Sequence, residues 1–339
     1  MIRVGVIGLG MMGTTHLNIH AKQNDVQVVA ISDIDPKRLS GEELAMGNID
    51  GQTGEGFDIR HADVKRYDEG RKLIRSKQVD LVDICLPTTL HVPYARSALR
   101  AGKHVMVEKP MGRTFRDAKN LLKTAAESDG FIMVGQCMRF WPGWTWLKEA
   151  VTRGTYGDVM AATFRRVSSF PGGPYYLDGR NSGGALLDLH IHDTDCICWL
   201  FGTPMSVTSV GYTKITGEID HLVTRYEYRD VPLVSAEGGW AMSEGFGFSM
   251  KYTVNFENAT ADFDIGADKP LTVYEKGAAP RTIDLEPGMG YDHEIRYLLD
   301  CIRDDTPPTT VTLDDAALSV KIADAEQRSA MTGRTVKIR

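Results

Sequence analysis

The chain opens with a strand that runs directly into a three-glycine turn, Ile2-Arg-Val-Gly-Val-Ile-Gly-Leu-Gly-Met-Met-Gly13. Gly8 would let the chain bend sharply, Gly10 would let the backbone approach a pyrophosphate, and Gly13 would let the next helix press against the sheet. The N–H groups and the positive dipole end at the start of that helix favour an anion without a basic side chain. The run therefore predicts a nucleotide-binding strand, turn and helix.

The residues around this turn support that interpretation. A β-rich segment at 3–7 precedes it, a helix is predicted at 11–22, and a second strand at 26–32 ends at Asp33. A carboxylate about 20 residues beyond the third glycine can accept hydrogen bonds from an adenosine ribose. It would repel the 2′-phosphate of NADP, so NAD is the predicted cofactor and NADP the less favoured one. The alternative is a glycine-rich turn in an unrelated α/β protein, which the whole context disfavours.

Length and charge restrict the class of protein. The 339 residues, 42% of them apolar, suffice for two domains. A formal net charge of −6 and a pI near 5.9 argue against nucleic acid or an anionic membrane as the main partner. No apolar stretch approaches the roughly 20 residues of a membrane helix, and the first strand begins too early for a signal peptide. A cytoplasmic protein is expected.

The five cysteines are odd in number and lie mostly within apolar runs, which favours reduced core residues. Cys196 and Cys198 have no second pair at zinc-site spacing, so no metal site is predicted.

Strand-like and helix-like segments alternate up to about residue 137, which is typical of a doubly wound parallel sheet. Beyond the first two strands, further strands are predicted near 58–62 and at 79–86, 104–108 and 131–137, with helices at 67–76, 93–101 and 115–128. The glycine-rich stretch 47–56 is predicted to be a solvated loop.

Beyond residue 140 one central helix is followed by successive β-rich runs, which predicts an α+β domain with a mostly antiparallel sheet. Its predicted strands are 158–168, 205–214, 221–228, 232–242, 248–256, 259–265 and 271–275, and helices at 291–303 and 314–331 close the chain. The predicted domains are therefore 1–138 and 139–339.

The first candidate for chemistry is the strand Ala101-Gly-Lys-His-Val-Met-Val-Glu-Lys-Pro110, which ends in a charged pair. Ligands of parallel sheets bind beyond the carboxyl ends of the strands, so Lys109 is predicted to point toward the cofactor. Pro110 restricts Lys109 to extended geometry and allows a cis bond. An ordinary solvated strand end is the alternative.

The second candidate is a helix within 183–202 that carries Asp188 and His192 four residues apart. This spacing stacks them on one helical face, continued by Asp195 and Trp199, so that the carboxylate can orient the imidazole. His190 lies on a different face of the helix from Asp188 and His192, and it is the better candidate for a structural role. A lone histidine on an apolar helix is more often a satisfied core residue, but a buried Asp and His pair needs a polar cavity.

Together these groups suit hydride transfer. An alcohol that loses hydride to a nicotinamide must also lose its hydroxyl proton, and a neutral histidine titrating near pH 7 can accept it. A nearby ammonium would stabilise the developing alkoxide.

Four motifs occur in order along the chain: Gly8-x-Gly10-x-x-Gly13 followed by His16, Cys85-Leu-Pro-Thr-Thr-Leu-His91, Gly102-Lys-His-Val-Met-Val-Glu-Lys-Pro110, and Gly183-Gly-Ala-Leu-Leu-Asp188-x-x-x-His192. In them the sequence resembles the glucose-fructose oxidoreductase, inositol dehydrogenase and MocA (Gfo/Idh/MocA) family over nearly its whole length. The resemblance implies an N-terminal Rossmann domain and a C-terminal α+β domain with a large open sheet, which carries substrate contacts and forms a homodimer or homotetramer.

The resemblance also implies the site residues. It carries over Lys109, Asp188 and His192 as the catalytic set. The residues expected at the cofactor are Gly8, Gly10, Met11, Met12, Gly13, Asp33, Pro87, Thr88, His91, Glu108, Lys109 and Gln136.

Two aromatic segments could line a sugar pocket, Arg139-Phe-Trp-Pro-Gly-Trp-Thr-Trp146 and Gly172-Gly-Pro-Tyr-Tyr-Leu-Asp-Gly-Arg-Asn181. Flat rings pack against the C–H faces of pyranoses or cyclitols. Core or interface packing is favoured for the three tryptophans, since large aromatics more often fill interiors. Arg139 and Tyr176 are the candidates for substrate binding.

The sequence thus predicts an NAD-dependent dehydrogenase that oxidises a secondary hydroxyl of a sugar, sugar derivative or inositol-like cyclitol. One alternative is a glycosidase or epimerase that keeps its NAD and oxidises its substrate transiently. The other is a nucleotide-binding regulator without catalysis, which the intact Lys109, Asp188 and His192 disfavour.

Overall fold

The structure, a computed structural model, describes residues 1–43 and 56–338, so most of the predicted loop at 47–56 lies outside the described residues. The elements up to residue 135 are β1 (Ile2–Ile7), α1 (Met11–Ala21), β2 (Val26–Ser32), α2 (Pro36–Ser40), β3 (Lys65–Tyr67), α3 (Gly70–Ile74), β4 (Leu81–Ile84), α4 (Thr88–Arg100), β5 (His104–Glu108), α5 (Phe115–Ala125) and β6 (Ile132–Gly135).

The elements that follow are a 3₁₀ turn (Cys137–Phe140), α6 (Pro142–Arg153), β7 (Val159–Ser169), α7 (Pro174–Leu177), α8 (Gly179–Ser182), a π-helical turn (Leu186–His190), α9 (Ile191–Phe201), β8 (Ser206–Tyr212), β9 (His221–Glu227), β10 (Leu233–Met242), β11 (Phe248–Phe256), β12 (Ala259–Asp264), β13 (Leu271–Glu275), β14 (Arg281–Thr282), α10 (Gly290–Arg303), α11 (Leu313–Thr332) and β15 (Val336–Lys337).

The first sheet is parallel throughout and has the strand order β3-β2-β1-β4-β5-β6. Strands β1, β4, β5 and β6 are apolar and largely buried, as expected for a sheet covered on both faces. The order reverses between β1 and β4, which is the position where such doubly wound sheets bind their ligands. The predicted Rossmann fold is therefore confirmed.

The strand predicted near 58–62 is wrong, because Asp58 instead caps a turn there. Its side chain accepts the Arg60 N–H at 3.0 Å, its carbonyl accepts the Ala62 N–H at 3.0 Å, and the edge strand β3 follows at Lys65–Tyr67. Sequence reasoning also missed α6, which begins with Pro142 in its first turn and ends before a left-handed Gly154.

The second sheet has nine strands in the order β14-β13-β12-β11-β7-β10-β9-β8-β15. All neighbours pair antiparallel except β7 and β10, which are parallel. The predicted mostly antiparallel sheet is confirmed. Trp144 is fully buried and packs edge-on against both Tyr252 and Phe263, which confirms its expected place in the core.

The chain forms two compact units, which we call unit 1 (1–112, 116–137 and 291–314) and unit 2 (113–115, 138–290 and 315–339). The change of unit at 137/138 lies one residue from the predicted boundary at 138/139, whereas the segment 291–314, with most of α10, packs in unit 1. The five cysteines are unbridged thiols, as expected. Among the described residues no helix combines the length and apolar character needed to cross a membrane.

Candidate functional site

The glycine turn of unit 1 has the geometry that a bound pyrophosphate requires. Gly8 has a left-handed φ of +91°, and a side chain at Gly13 would overlap the carbonyl oxygen of Gly8. Gly10 precedes α1 without a capping side chain, and among the described residues a Cβ placed on it would meet only the Arg38 guanidinium, at 3.9 Å. The first backbone N–H groups of α1, starting with the half-buried Met11 and Met12, therefore begin beside open space that can hold an anion.

Asp33 follows β2 and is fixed by two backbone N–H groups. Its Oδ2 accepts the Leu9 N–H at 2.6 Å, and its Oδ1 accepts the Asp35 N–H at 2.8 Å. Each carboxylate oxygen has two lone pairs, so both can still accept a hydroxyl. The Leu9 contact joins Asp33 to the glycine turn itself.

The start of α4 contributes the next predicted cofactor residues. Pro87 precedes the helix and Thr88, its first residue, is buried. The ring nitrogens of His91 lie 2.6 Å from the Leu86 carbonyl oxygen and 2.8 Å from that of Pro110. His91 thereby ties the loop after β4 to the loop after β5.

Gln136, directly after β6, is buried, and neither its amide nitrogen nor its oxygen has a hydrogen-bond partner among the described residues. A buried amide without partners costs free energy, which a ligand with a polar group would recover. The buried Gln136 amide and the glycine turn are the two features of unit 1 that fit a bound dinucleotide.

Glu108 and Lys109 stand at the carboxyl end of β5, as predicted. The Lys109 N–H donates to Glu108 Oε2 at 3.0 Å, while Glu108 Oε1 lies 3.1 Å from Nε2 of His16. Lys109 is half-buried and its bond to Pro110 is cis. The Glu108 carboxylate is thus held inward, toward α1.

A buried ionisable cluster in unit 1, which sequence reasoning missed, consists of His16, His20, Asp83, Glu108 and Glu294. Nδ1 of His16 lies 3.0 Å from Asp83 Oδ2, and Nε2 of His20 lies 2.8 Å from the same oxygen. Burial alone would raise the pKa of Asp83, but the two imidazoles hold it well below its usual range. Burial, and then the charge of Glu108, raise the pKa of Glu294. The one sequence signal was an aspartate inside the apolar strand Leu81–Ile84.

In unit 2, Asp188 and His192 lie on either side of a change in helix type. Asp188 is half-buried in the π-helical turn Leu186–His190, and His192 is buried at the start of α9. The expectation of continuous α-helical spacing between them is wrong, because the π turn has a wider repeat. Such turns occur frequently at functional sites.

The neighbouring acids of α9 are held in buried ion pairs. Arg139 donates from Nε and Nη2 to Asp195, both at 2.8 Å, and its Nη1 lies 3.1 Å from Asp315. Arg166 makes a matching two-pronged pair with Asp193, both bonds 3.0 Å. The substrate role of Arg139 stays a prediction, and the ion pair gives it a structural role that the sequence did not indicate.

His190 faces a different part of unit 2. Its Nε2 lies 3.1 Å from the Tyr226 hydroxyl and 3.1 Å from Glu326 Oε1, and Thr194 donates to Glu326 Oε2 at 3.1 Å. Burial and the Glu326 charge raise the pKa of Tyr226 well above its ordinary value. All four residues are buried, so this network anchors the helix to β9 and α11.

Tyr176 is half-buried in α7 and packs edge-on against Trp240, with ring centroids 5.7 Å apart. An open groove of about 590 Å³ is lined by other residues of the same region, namely Pro174, Leu177, Asp178, Arg180, Thr216, Gly217 and Glu218. The substrate role of Tyr176 stays a prediction.

Comparison with protein families gives two adjoining matches. Residues 2–136 match the model of the GFO/IDH/MocA oxidoreductase family with an NAD-binding Rossmann fold. Residues 144–262 match the GFO/IDH/MocA C-terminal domain.

Curated relatives are dehydrogenases of cyclitols and glucosides. The chain is 32% identical over 202 residues to myo-inositol 2-dehydrogenase of Thermotoga maritima, which covers 59% of this chain and 55% of that protein. It is 28% identical to inositol 2-dehydrogenase of Rhizobium meliloti, over 86% of this chain and 80% of that one. D-glucoside 3-dehydrogenase of Escherichia coli is 28% identical, over 63% and 58%.

Solved structures share the whole fold. Levoglucosan dehydrogenase, in complex with NADH and levoglucosan, matches with a TM-score of 0.86 and 19% identity over 99% of both chains. An oxidoreductase of Desulfitobacterium hafniense, described as NADPH-dependent, matches with a TM-score of 0.85 and 18% identity over 99% of this chain and 97% of that one. At these identities the likeness concerns the fold alone.

Proposed function

The chain belongs to the GFO/IDH/MocA family of oxidoreductases, and on this basis we propose that it is an NAD-dependent dehydrogenase of a secondary hydroxyl in a sugar, sugar derivative or inositol-like cyclitol. The observation that carries the proposal is the glycine turn with Asp33 hydrogen-bonded to Leu9, because this geometry supports both an anion site and a ribose site for a dinucleotide. The curated relatives support the substrate class.

Bound NAD would supply the acceptor for the hydride that leaves the substrate carbon. His192 takes the hydroxyl proton as general base. We assign to the Lys109 ammonium the stabilisation of the negative charge that develops on the reacting oxygen, and to Asp188 the orientation of the His192 imidazole. The backbone of 8–13, Asp33 and the Gln136 amide bind and orient the cofactor.

A preference for NAD over NADP is proposed from Asp33, whose charge would face a 2′-phosphate. At about 4 Å and an effective dielectric near 20 this repulsion amounts to several kcal/mol before screening, and even ~1.4 kcal/mol leaves a tenfold preference. Arg38, close to Gly10, opposes it. Calorimetric titration of the apoprotein with both oxidised cofactors checks this, and equal or tighter NADP binding would contradict it.

The function is tested by following NADH formation with a panel of inositols, aldoses and glucosides, with Lys109→Met as the control for background reduction. Net NADH from at least one polyol is expected. A rearranged or hydrolysed product without net NADH would point instead to an enzyme that retains its cofactor. A protein that binds NAD but converts no member of the panel would favour a regulator.

Assembly through the second sheet is proposed from its exposed apolar residues. Val210 on β8 and Val223 on β9 are directly paired in register and are 65% and 42% exposed. When a second copy of the chain covers these side chains, their apolar surface is removed from water, which favours association. Analytical ultracentrifugation is expected to give a dimer or tetramer, and Val223→Lys to shift it toward monomer.

A further inference from the structure

We propose that unit 1 binds a divalent transition-metal ion through His16, Glu108 and Glu294. The candidate ligand atoms, one imidazole nitrogen and one oxygen from each carboxylate, all lie within 4.8 Å of one another, and all three residues are buried. They come from α1, the end of β5 and α10, so the site would join three elements of unit 1. This proposal goes beyond the proposed function, and it shares one residue, Glu108, with those expected at the cofactor.

Glu294 supplies the observation that points to a ligand. Its side chain is fully buried, and neither carboxylate oxygen has a hydrogen-bond partner among the residues that the structure describes. Buried carboxylates are normally paired, hydrogen-bonded or bound to a metal. The oxygens of Glu294 instead face another acid, Glu108, and the imidazole of His16.

The imidazole of His16 is oriented as a metal ligand would be. When its Nδ1–H donates to Asp83 at 3.0 Å, the lone pair is on Nε2, the atom that lies 3.1 Å from Glu108 Oε1. A carboxylate behind the distal nitrogen fixes the tautomer and strengthens the ligand in many metal sites. Asp83 is itself fixed by His20 at 2.8 Å.

The separation of the ligand atoms fits a metal of ordinary size. Tetrahedral zinc with bonds of 2.0–2.2 Å places its ligand atoms about 3.4 Å apart. Nε2 of His16 and Oε1 of Glu108 are already at 3.1 Å, so a small inward movement of Glu294 completes the set.

Charge favours a cation at this point. Asp83, Glu108 and Glu294 are three buried acids that face two imidazoles, and one dication would neutralise the two carboxylates that bind it. The other combination of groups, His16 with Asp83 and Cys85, is a weaker candidate, because Cys85 donates to Asp83 and the Asp83 oxygens already face His16 and His20.

The donor set indicates the class of metal. One imidazole and two carboxylates suit zinc, manganese or iron(II) better than the all-oxygen sites of magnesium and calcium, and three protein ligands leave a position for water. Sequence reasoning found no metal site because its ligands are far apart along the chain.

The test is zinc binding to the full-length protein after treatment with a chelator. Calorimetry and elemental analysis are expected to give one ion per chain, and zinc is expected to raise the melting temperature. Glu294→Gln and His16→Asn should each weaken zinc binding roughly a hundredfold, whereas the matched surface variant His61→Asn should bind as the parent does.

Two further measurements keep the outcome decisive. Cobalt bound in place of zinc should give the visible absorption of a tetrahedral site in the parent protein and in Cys85→Ser, but not in Glu294→Gln. The proposal is wrong if the parent protein binds no stoichiometric metal, if Glu294→Gln binds with unchanged affinity, or if only Cys85→Ser loses the metal. In the first case Glu294 is a protonated acid, and Glu294→Gln should leave the melting temperature unchanged or raised.

Discussion

The buried acids of α9 in unit 2 and two buried polar groups of unit 1 differ in whether a hydrogen-bond partner satisfies them. Along α9 in unit 2 the acids Asp193 and Asp195 each have a buried guanidinium as partner, from Arg166 and Arg139. In unit 1, Gln136 and Glu294 are buried with polar atoms that have no hydrogen-bond partner among the described residues.

This difference separates framework from binding site. A buried charge with a matched partner holds helices and strands in register, and its loss costs stability. A buried polar group without a partner destabilises the ligand-free protein. The lost free energy is recovered only when a ligand supplies the missing contact. The following variants test whether loss of stability and loss of binding separate in this way.

The largest effect is expected at the two histidines of unit 2. His192→Asn should reduce the rate of polyol oxidation by roughly 10²–10⁴, because a positioned general base is lost. His190→Asn should mainly lower stability, since His190 contacts Glu326 and Tyr226. Steady-state kinetics and thermal melts of both variants check this, and an inactive His190→Asn beside a normal His192→Asn would reverse the assignment.

The next largest effect is expected when a matched ion pair is broken, and it should appear as a loss of stability. Arg166→Met leaves the fully buried Asp193 without its guanidinium, which is expected to destabilise the protein by about 3–5 kcal/mol while NAD affinity is retained. Urea denaturation measures the change. Arg153→Met, which removes an exposed ion pair with Glu149, is the control and should change little. A loss of NAD affinity in Arg166→Met would contradict its framework role.

Lys109→Met, in unit 1, should lower turnover without lowering stability. It keeps most of the side-chain stem and removes the charge, so turnover should fall about a hundredfold, the scale for loss of one electrostatic stabiliser. The melting temperature should hardly change. Near-normal turnover would show that the ammonium does not act on the reacting oxygen.

The smallest effect is expected at Gln136. Whether its replacement raises or lowers stability tests most directly the distinction between framework and binding site. Gln136→Met removes a buried amide that has no partner within the described chain, so stability should stay level or rise. NAD affinity should fall up to about tenfold, since one neutral hydrogen bond contributes 0.5–1.5 kcal/mol. Lower stability with unchanged NAD affinity would place Gln136 in the framework instead.

Much of the fold could be predicted because it depends on local patterns. Apolar runs of strand length, the glycines at 8, 10 and 13, and Asp33 after β2 determine their own conformation within a few residues. The position of Lys109 at the end of a strand could be predicted from the apolar run that precedes it. The errors were also local, since the turn at Asp58 arises from a side-chain hydrogen bond that periodicity does not register.

What only the tertiary structure decided is which distant residues meet. The Arg139 and Asp195 pair and the contacts of His16 with Asp83 and Glu108 bring together residues separated by tens of positions. The sequence by itself determined the nucleotide turn and most of the strands and helices, because each is stabilised by neighbours along the chain. The partners of the buried charges depend on strand order and helix packing, which no spacing within one segment encodes.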